Sequence, residues 1–304
     1  MSPSRLVNLK AWCKTGAAKK LGIWLLLSLL LTCIFFRDFW TSLPLLLSPA
    51  WIANFHVAQW GVLVICLVFL WFKRKGVNLQ AASGLPSLAL RFVVGVTLVA
   101  GAILIPPLQD YLLLKVLLAC LGVFVMIFGK GARIPAILVA VFGFSVIFPL
   151  AVKHFFEEQY TRGVLIPLMA LLKAINYPVQ NQGQMVSFTS TGGEYISVNV
   201  SLECAGPITM SIFIALYVLM MLDSPQRPGK AIGLFILGVI GTWLQSFLRL
   251  IILMVVGYHI GREALWTAHY WSIYVLFPLW YLIFAYIYFR HYRRPLSQRP
   301  AAGQ

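Results

Sequence analysis

Apolar positions along the chain gather into eight runs, roughly 21–36, 51–72, 88–105, 111–129, 134–152, 205–222, 230–256 and 270–289. Each is long enough to cross, or nearly cross, a hydrocarbon layer of about 30 Å. Between the fifth and sixth runs, over 153–203, the pattern changes. Leu165, Leu168, Met169, Leu172 and Ile175 recur at helical spacing, which predicts an interfacial or re-entrant helix over about 162–177 with Pro167 near its start. From Tyr195 the period becomes two: Ile196, Val198, Val200 and Leu202 alternate with Ser197, Asn199, Ser201 and Glu203, the signature of a half-buried strand. Met185–Thr189 and the Gly192–Gly193 pair predict its hairpin partner and turn. Cys204 is the next residue on the apolar side, and Gly206–Pro207 opens the sixth run, proline being suited to a first helical turn. The expected fold class is an all-α polytopic membrane protein of about eight transmembrane helices. A small extracytoplasmic β-hairpin and an interfacial helix precede span six.

Composition agrees: 61% of the residues are hydrophobic, 11% are charged, and the mean hydropathy is +0.87. The net charge of +16 changes meaning once the runs are threaded through a bilayer. With the N-terminus cytoplasmic, 17 of the 24 basic residues fall in inner segments, from Arg5, Lys10 and Lys14 to Arg293, Arg294 and Arg299, while six fall outside and Arg249 alone lies inside a span. The excess is therefore an orientation signal, not a footprint for nucleic acid. The basic then apolar N-terminus resembles a signal peptide, but no small-residue cleavage site follows Phe36, so a retained signal anchor is expected. The expected organisation is a five-helix scaffold (1–152), an extracytoplasmic loop (153–203), a three-helix core (204–290) and a basic cytoplasmic tail (291–304).

Chemistry gathers on the last three runs. Cys33, Cys66 and Cys120 sit inside apolar stretches, Cys13 lies on the cytoplasmic side, and no two cysteines have metal-ligand spacing, so neither disulfides nor a structural zinc site is expected. Cys204 alone reaches the outer surface, where a strand passes to a helix. The free N–H groups and positive dipole end of a helix N-terminus favour a thiolate, and could hold an oxyanion. Arg249 lies in an apolar span with no neighbouring acid. Such an arginine costs roughly 2.5–3.5 kcal/mol on insertion scales, which marks it as functional and in need of a partner. Eight residues from Gly257, at 1.5 Å each, place it about 12 Å deep. His269 follows a short loop expected over Tyr258–Ala268 and is the candidate base for the thiol, with His259 as its competitor and His56, His154 and His291 in weaker contexts. Glu203 and Arg262 lie nearby in sequence without an assigned role.

The stretches Glu203-Cys204-Ala205-Gly206, Phe247-Leu248-Arg249-Leu250-Ile251 and His269-Tyr270-Trp271 resemble the core of the exosortase/archaeosortase family over about 183–290. Its pattern is Cys-Ser/Thr-Gly, then Asn-x-x-Arg, then His. Ala205 stands where the family has a hydroxyl residue, Ser246 where it has Asn, and Ile273 where Gly is common. The resemblance implies a membrane-embedded cysteine transpeptidase of the prokaryotic cell membrane, with its site facing the extracytoplasmic side. Its substrates would be exported, membrane-anchored proteins carrying a C-terminal tail of short motif, transmembrane helix and basic cluster. Cys204 would be the nucleophile, Arg249 the thiolate or oxyanion stabiliser, and His269 the general acid/base. An acceptor amine, lipid or water would release the acyl group, and no cofactor is implied.

Two other readings compete. Glu157-Glu158-Gln159-Tyr160-Thr161-Arg162 fits the E-E-x-x-x-R pattern of CAAX-type intramembrane peptidases, but no F-x-x-x-H motif accompanies it and the acids fall in a loop. A transporter or envelope-biogenesis scaffold would distribute polar groups across the bilayer, usually in repeated halves, whereas here they gather on one face.

Overall fold

The structure is a computed structural model and describes residues 16–48, 57–73, 88–106 and 108–292. The expectations for Cys13, His56 and most of both basic termini fall outside the described residues. The chain forms two compact units, Met1–Val146 and Ile147–Gln304.

The first unit contains α1 (Gly16–Phe35), α2 (Arg37–Leu46), α3 (Val57–Lys73), α4 (Leu88–Leu104), α5 (Gln109–Phe128) and the start of α6 (Arg133–Phe155). α1 and α2 meet at a 95° bend at buried Phe36. α4 and α5 cross at glycines: a Cβ on Gly95 would lie 2.7 Å from the Gly122 carbonyl oxygen, and one on Gly122 equally close to that of Gly95. Small residues allow this backbone approach, the packing mode available to helices in lipid. Trp24 donates to the Cys120 carbonyl at 3.0 Å and sets its ring edge-on to Phe124, fixing α1 against α5.

The second unit carries α7 (Glu157–Ala174), β1 (Val179–Gln182), β2 (Met185–Thr189), β3 (Tyr195–Asn199), the single turn α8 (Leu202–Ala205), α9 (Pro207–Asp223), α10 (Pro228–Ile260) and α11 (Arg262–Tyr292). The predicted hairpin is present, with Val186 opposite Val198 and Phe188 opposite Ile196. A further strand, β1, extends it to an antiparallel sheet of order β1-β2-β3. Its Gln180, Asn181 and Gln182 are exposed and carry no apolar alternation, so the period-two signal was missing. Val186, Phe188, Ile196 and Val200 bury on one face with Leu168 and Leu172 of α7, Leu250, Leu253 and Met254 of α10, and Leu265 of α11. Full burial of each such side chain contributes about 1.5–3 kcal/mol. This small sheet is thus a lid of hydrophobic core, welded to the ends of the long helices.

Four boundaries differ from the sequence expectation. α7 begins at Glu157 rather than near Arg162, because Glu157 and Glu158 complement the helix N-terminus, and Pro167 lies well inside it. β3 stops at Asn199, and Cys204 lies on the turn α8 instead of on the strand. The alternation through Leu202 reports burial, and a helical turn satisfies it by burying Leu202 and Ala205 together. The expected loop Tyr258–Ala268 shrinks to Gly261, whose φ of +112° joins α10 to α11 directly. His269 therefore sits inside α11 and not at its start.

Among the described residues each of the eight apolar runs carries helix, but eight crossings are not established. Among the described residues four helices are long and apolar enough to span a membrane, five if the bent α1–α2 pair is one span, while Trp60–Lys73, Ala89–Leu104 and Pro207–Asp223 are shorter. The chain is a multi-pass membrane protein by these helices.

Gly206 governs the approach to α9. Its φ is +94°, and a Cβ there would fall on the Ser246 side chain and 3.0 Å from Thr209 Oγ1. Gly183 has φ +63° with open space around it. Gly206→Ala is expected to cost about 1–3 kcal/mol and Gly183→Ala about 1 kcal/mol, read as thermal midpoints in detergent. Equal midpoints would show that crowding at Gly206 is relieved without cost.

Candidate active site

Cys204 is a free, half-buried thiol on α8. Ser201, at the N-cap of this turn, does not cap it; its Oγ donates to Cys204 Sγ at 3.8 Å. The chain then reverses at Gly206 into Pro207 of α9, so the sulfur is carried just ahead of a long helix. Thr209 Oγ1 donates to the Gly206 carbonyl at 2.8 Å and lies 3.4 Å from Ser246 Oγ of α10, pinning this corner from two helices. Trp243, Phe247 and Ile251 of α10 and Ala268 of α11 pack against the same core cluster as Cys204.

Arg249 is 5% exposed, on the α11-facing stripe of α10. Its Nε donates to Ser272 Oγ at 3.0 Å, and Ser272 Oγ donates on to the His269 carbonyl at 3.0 Å. One terminal nitrogen lies 3.4 Å from His269 Nδ1 and 3.3 Å from Nε2, shared between the two rather than aligned with either. The same nitrogen donates to the His269 carbonyl at 3.4 Å, and the guanidinium carbon stands 5.9 Å from the Phe277 ring centroid. Cys204 is within electrostatic reach of this guanidinium. Among the described side chains no carboxylate pairs with Arg249, and the side chain of Glu203 lies outside the described set. Among the described residues the charge is thus held by a serine, a histidine and an aromatic face, with the thiol as an ionisable neighbour.

Arg249 and His269 meet here, and Cys204 packs on the neighbouring core cluster. His269 is half-buried, with Trp266 edge-on to its ring at 5.6 Å between centroids. His259 is engaged elsewhere: its Nε2 lies 2.8 Å from the Tyr177 hydroxyl, and its carbonyl accepts from Thr191 Oγ1 at 3.1 Å. It fastens the end of α10 to the sheet. Arg262 does the same at the start of α11. Its backbone N–H donates to Glu194 at 3.1 Å, its guanidinium pairs with that carboxylate at 3.4 Å, and it also donates to the Tyr195 carbonyl at 3.0 Å. Glu158 pairs with Arg162 on an exposed turn of α7. Among the described residues no cluster of three metal-ligating side chains occurs.

Ser272 was not picked out in sequence. Its position three residues after His269 puts both on one face of a helix, and a lone serine in an aromatic-rich run was the available signal. Removing its hydroxyl strands a buried charged donor. Ser272→Ala should lower stability by about 1–3 kcal/mol, and Ser272→Thr should retain most of it. In the background of Arg249→Met the alanine effect should shrink, since the two deletions share one interaction; full additivity in denaturation would contradict the pairing.

The family model for transmembrane exosortases matches residues 51–286, a stretch that includes Cys204, Arg249 and His269. Neither a curated protein nor a solved structure matches the chain. With most of its length accounted for by that match, this multi-pass membrane protein belongs to the transmembrane exosortase family.

Proposed function

We propose that this protein is a cysteine transpeptidase that cleaves the C-terminal sorting tail of exported proteins and passes them to an acceptor, acting at the extracytoplasmic face of a prokaryotic cell membrane. The reading is supported by the buried guanidinium of Arg249, bonded to the Ser272–His269 edge of α11 with the Cys204 thiol within its electrostatic reach. A buried cation stabilises negative charge that develops before it, above all the oxyanion of a tetrahedral intermediate.

In this reading the tail's transmembrane helix docks laterally and sets the scissile peptide bond beside Cys204. Cys204 passes its proton to His269, the thiolate attacks the carbonyl carbon, and Arg249 holds the resulting oxyanion, with N–H groups at the start of α9 as further donors. Collapse of the intermediate breaks the C–N bond. His269 gives a proton to the departing amine and leaves the protein portion as a thioester on Cys204. An incoming amine, or water, then gives a proton to His269 and attacks the thioester, and the thiolate departs. Burial strengthens each electrostatic step, because the site exchanges water for fixed dipoles.

Cleavage of a reporter carrying such a tail, followed by mass spectrometry, tests this. Cys204→Ala should abolish it, His269→Ala should lower the rate by about 10²–10⁴, and Arg249→Ala by about 10²–10³. Glu157→Ala should leave it unchanged. Cleavage that persists in Cys204→Ala, or is lost in Glu157→Ala, would refute the assignment, the latter in favour of a CAAX-type peptidase.

A further inference from the structure

Gln245 stands one turn from Arg249 on α10, with an amide that satisfies neither of its polar atoms. It is 8% exposed, and neither Oε1 nor Nε2 has a hydrogen-bond partner. Its neighbours on the helix are all occupied. Thr242, three residues before, accepts from Trp280 Nε1 of α11 at 3.1 Å and donates to the Gly238 carbonyl at 2.8 Å. Ser246 turns toward α9, bonding the Thr242 carbonyl at 3.2 Å and meeting Thr209. Arg249, four residues on, meets Ser272 and His269 of α11. Spacings of three and four put Thr242, Gln245 and Arg249 on one stripe of the helix, the stripe that meets α11.

A buried amide left unpaired is destabilising, and an apolar side chain of the same size would avoid that cost. Retaining it makes sense where a ligand completes the pair. Oε1 accepts and Nε2 donates, so the complementary ligand offers one donor and one acceptor together, as a peptide group does. An ion of either sign would satisfy only half of the amide. Four residues at 1.5 Å set Gln245 about 6 Å along α10 from Arg249. That is the reach from a reacting carbonyl to the next turn of the chain that carries it.

We propose that Gln245 binds a peptide group of the substrate, in the first turn of its membrane-spanning segment. This rests on the transpeptidase reading above and names the part of the substrate that the site grips. The first turn of any helix has N–H groups without intrahelical partners. In hydrocarbon those groups find no water, so each needs a protein acceptor. Gln245 Oε1 supplies one at membrane depth, and Nε2 takes a carbonyl of the same turn. Pairing fixes the tail in register, so the bond to be cut faces Cys204.

The test uses the full-length protein in detergent or nanodiscs and a tripartite tail fused to a fluorescent reporter. Gln245→Met keeps the volume and removes the amide. It should lower kcat/KM for tail cleavage about tenfold, mainly through KM, and weaken binding of the uncleaved tail in a Cys204→Ser background to a similar extent. Gln245→Asn, which keeps an amide, should recover part of the loss. Without substrate, the Met variant should melt at or above the wild-type temperature, and iodoacetamide should alkylate its Cys204 at the wild-type rate. Wild-type cleavage and binding by Gln245→Met would overturn the inference alone. Failure of the wild type to bind or cleave any such tail would remove the transpeptidase reading and this inference with it.

Discussion

A positive charge shut into an apolar helix pair is the constraint around which the second unit is arranged. Arg249 is nearly fully buried on α10, and its cost is met by Ser272, His269 and the face of Phe277, all on α11. These contacts demand that α10 and α11 stay in register over several turns. They are kept so by Gly261, which joins the two helices without a loop, and by close approach at Gly241, where any side chain would collide with Trp280. The helix pair is therefore a rigid mount for one guanidinium and one imidazole.

The thiol reaches that mount by a different route. Cys204 hangs on a single helical turn between a strand and a long helix, a position with little stability of its own. Its place is set by what brackets it. On one side, the sheet buries Val186, Phe188, Ile196 and Val200 against α7, α10 and α11. On the other, Gly206 abuts Ser246 of α10 in a left-handed conformation. Contacts by His259 to Tyr177 and by Arg262 to Glu194 close the same bracket at the ends of the long helices. The residues that looked chemical in sequence but do not join the site thus hold the sheet that holds the thiol.

Much of this was legible from the chain, for identifiable reasons. An arginine among Phe247, Leu248, Leu250 and Ile251 has no solvated explanation, so it called for buried partners before any geometry was known, and Ser272 and His269 are those partners. Period-two alternation from Tyr195 exposed the hairpin because one face is core and the other is not. What escaped had weaker signals. β1 is too polar to alternate, and the turn α8 satisfies the same burial pattern as a strand. The fusion of α10 to α11 rests on one glycine's φ, and Ser272 is one hydroxyl among aromatics. The number of crossings was read from apolar runs alone, and among the described residues the helices on three of those runs cover 10–17 residues each.

The central claim is that Arg249 activates Cys204 at the outer face of the membrane. A membrane-impermeant, thiol-reactive probe applied to intact cells addresses both parts at once. Labelling of the wild type should be absent in Cys204→Ser and markedly slower in Arg249→Ala, with comparable amounts of inserted protein in all three. Equal labelling rates in wild type and Arg249→Ala would show that the guanidinium does not act on the thiol. An inserted protein whose Cys204 never labels would contradict the outward, activated thiol on which the whole account depends.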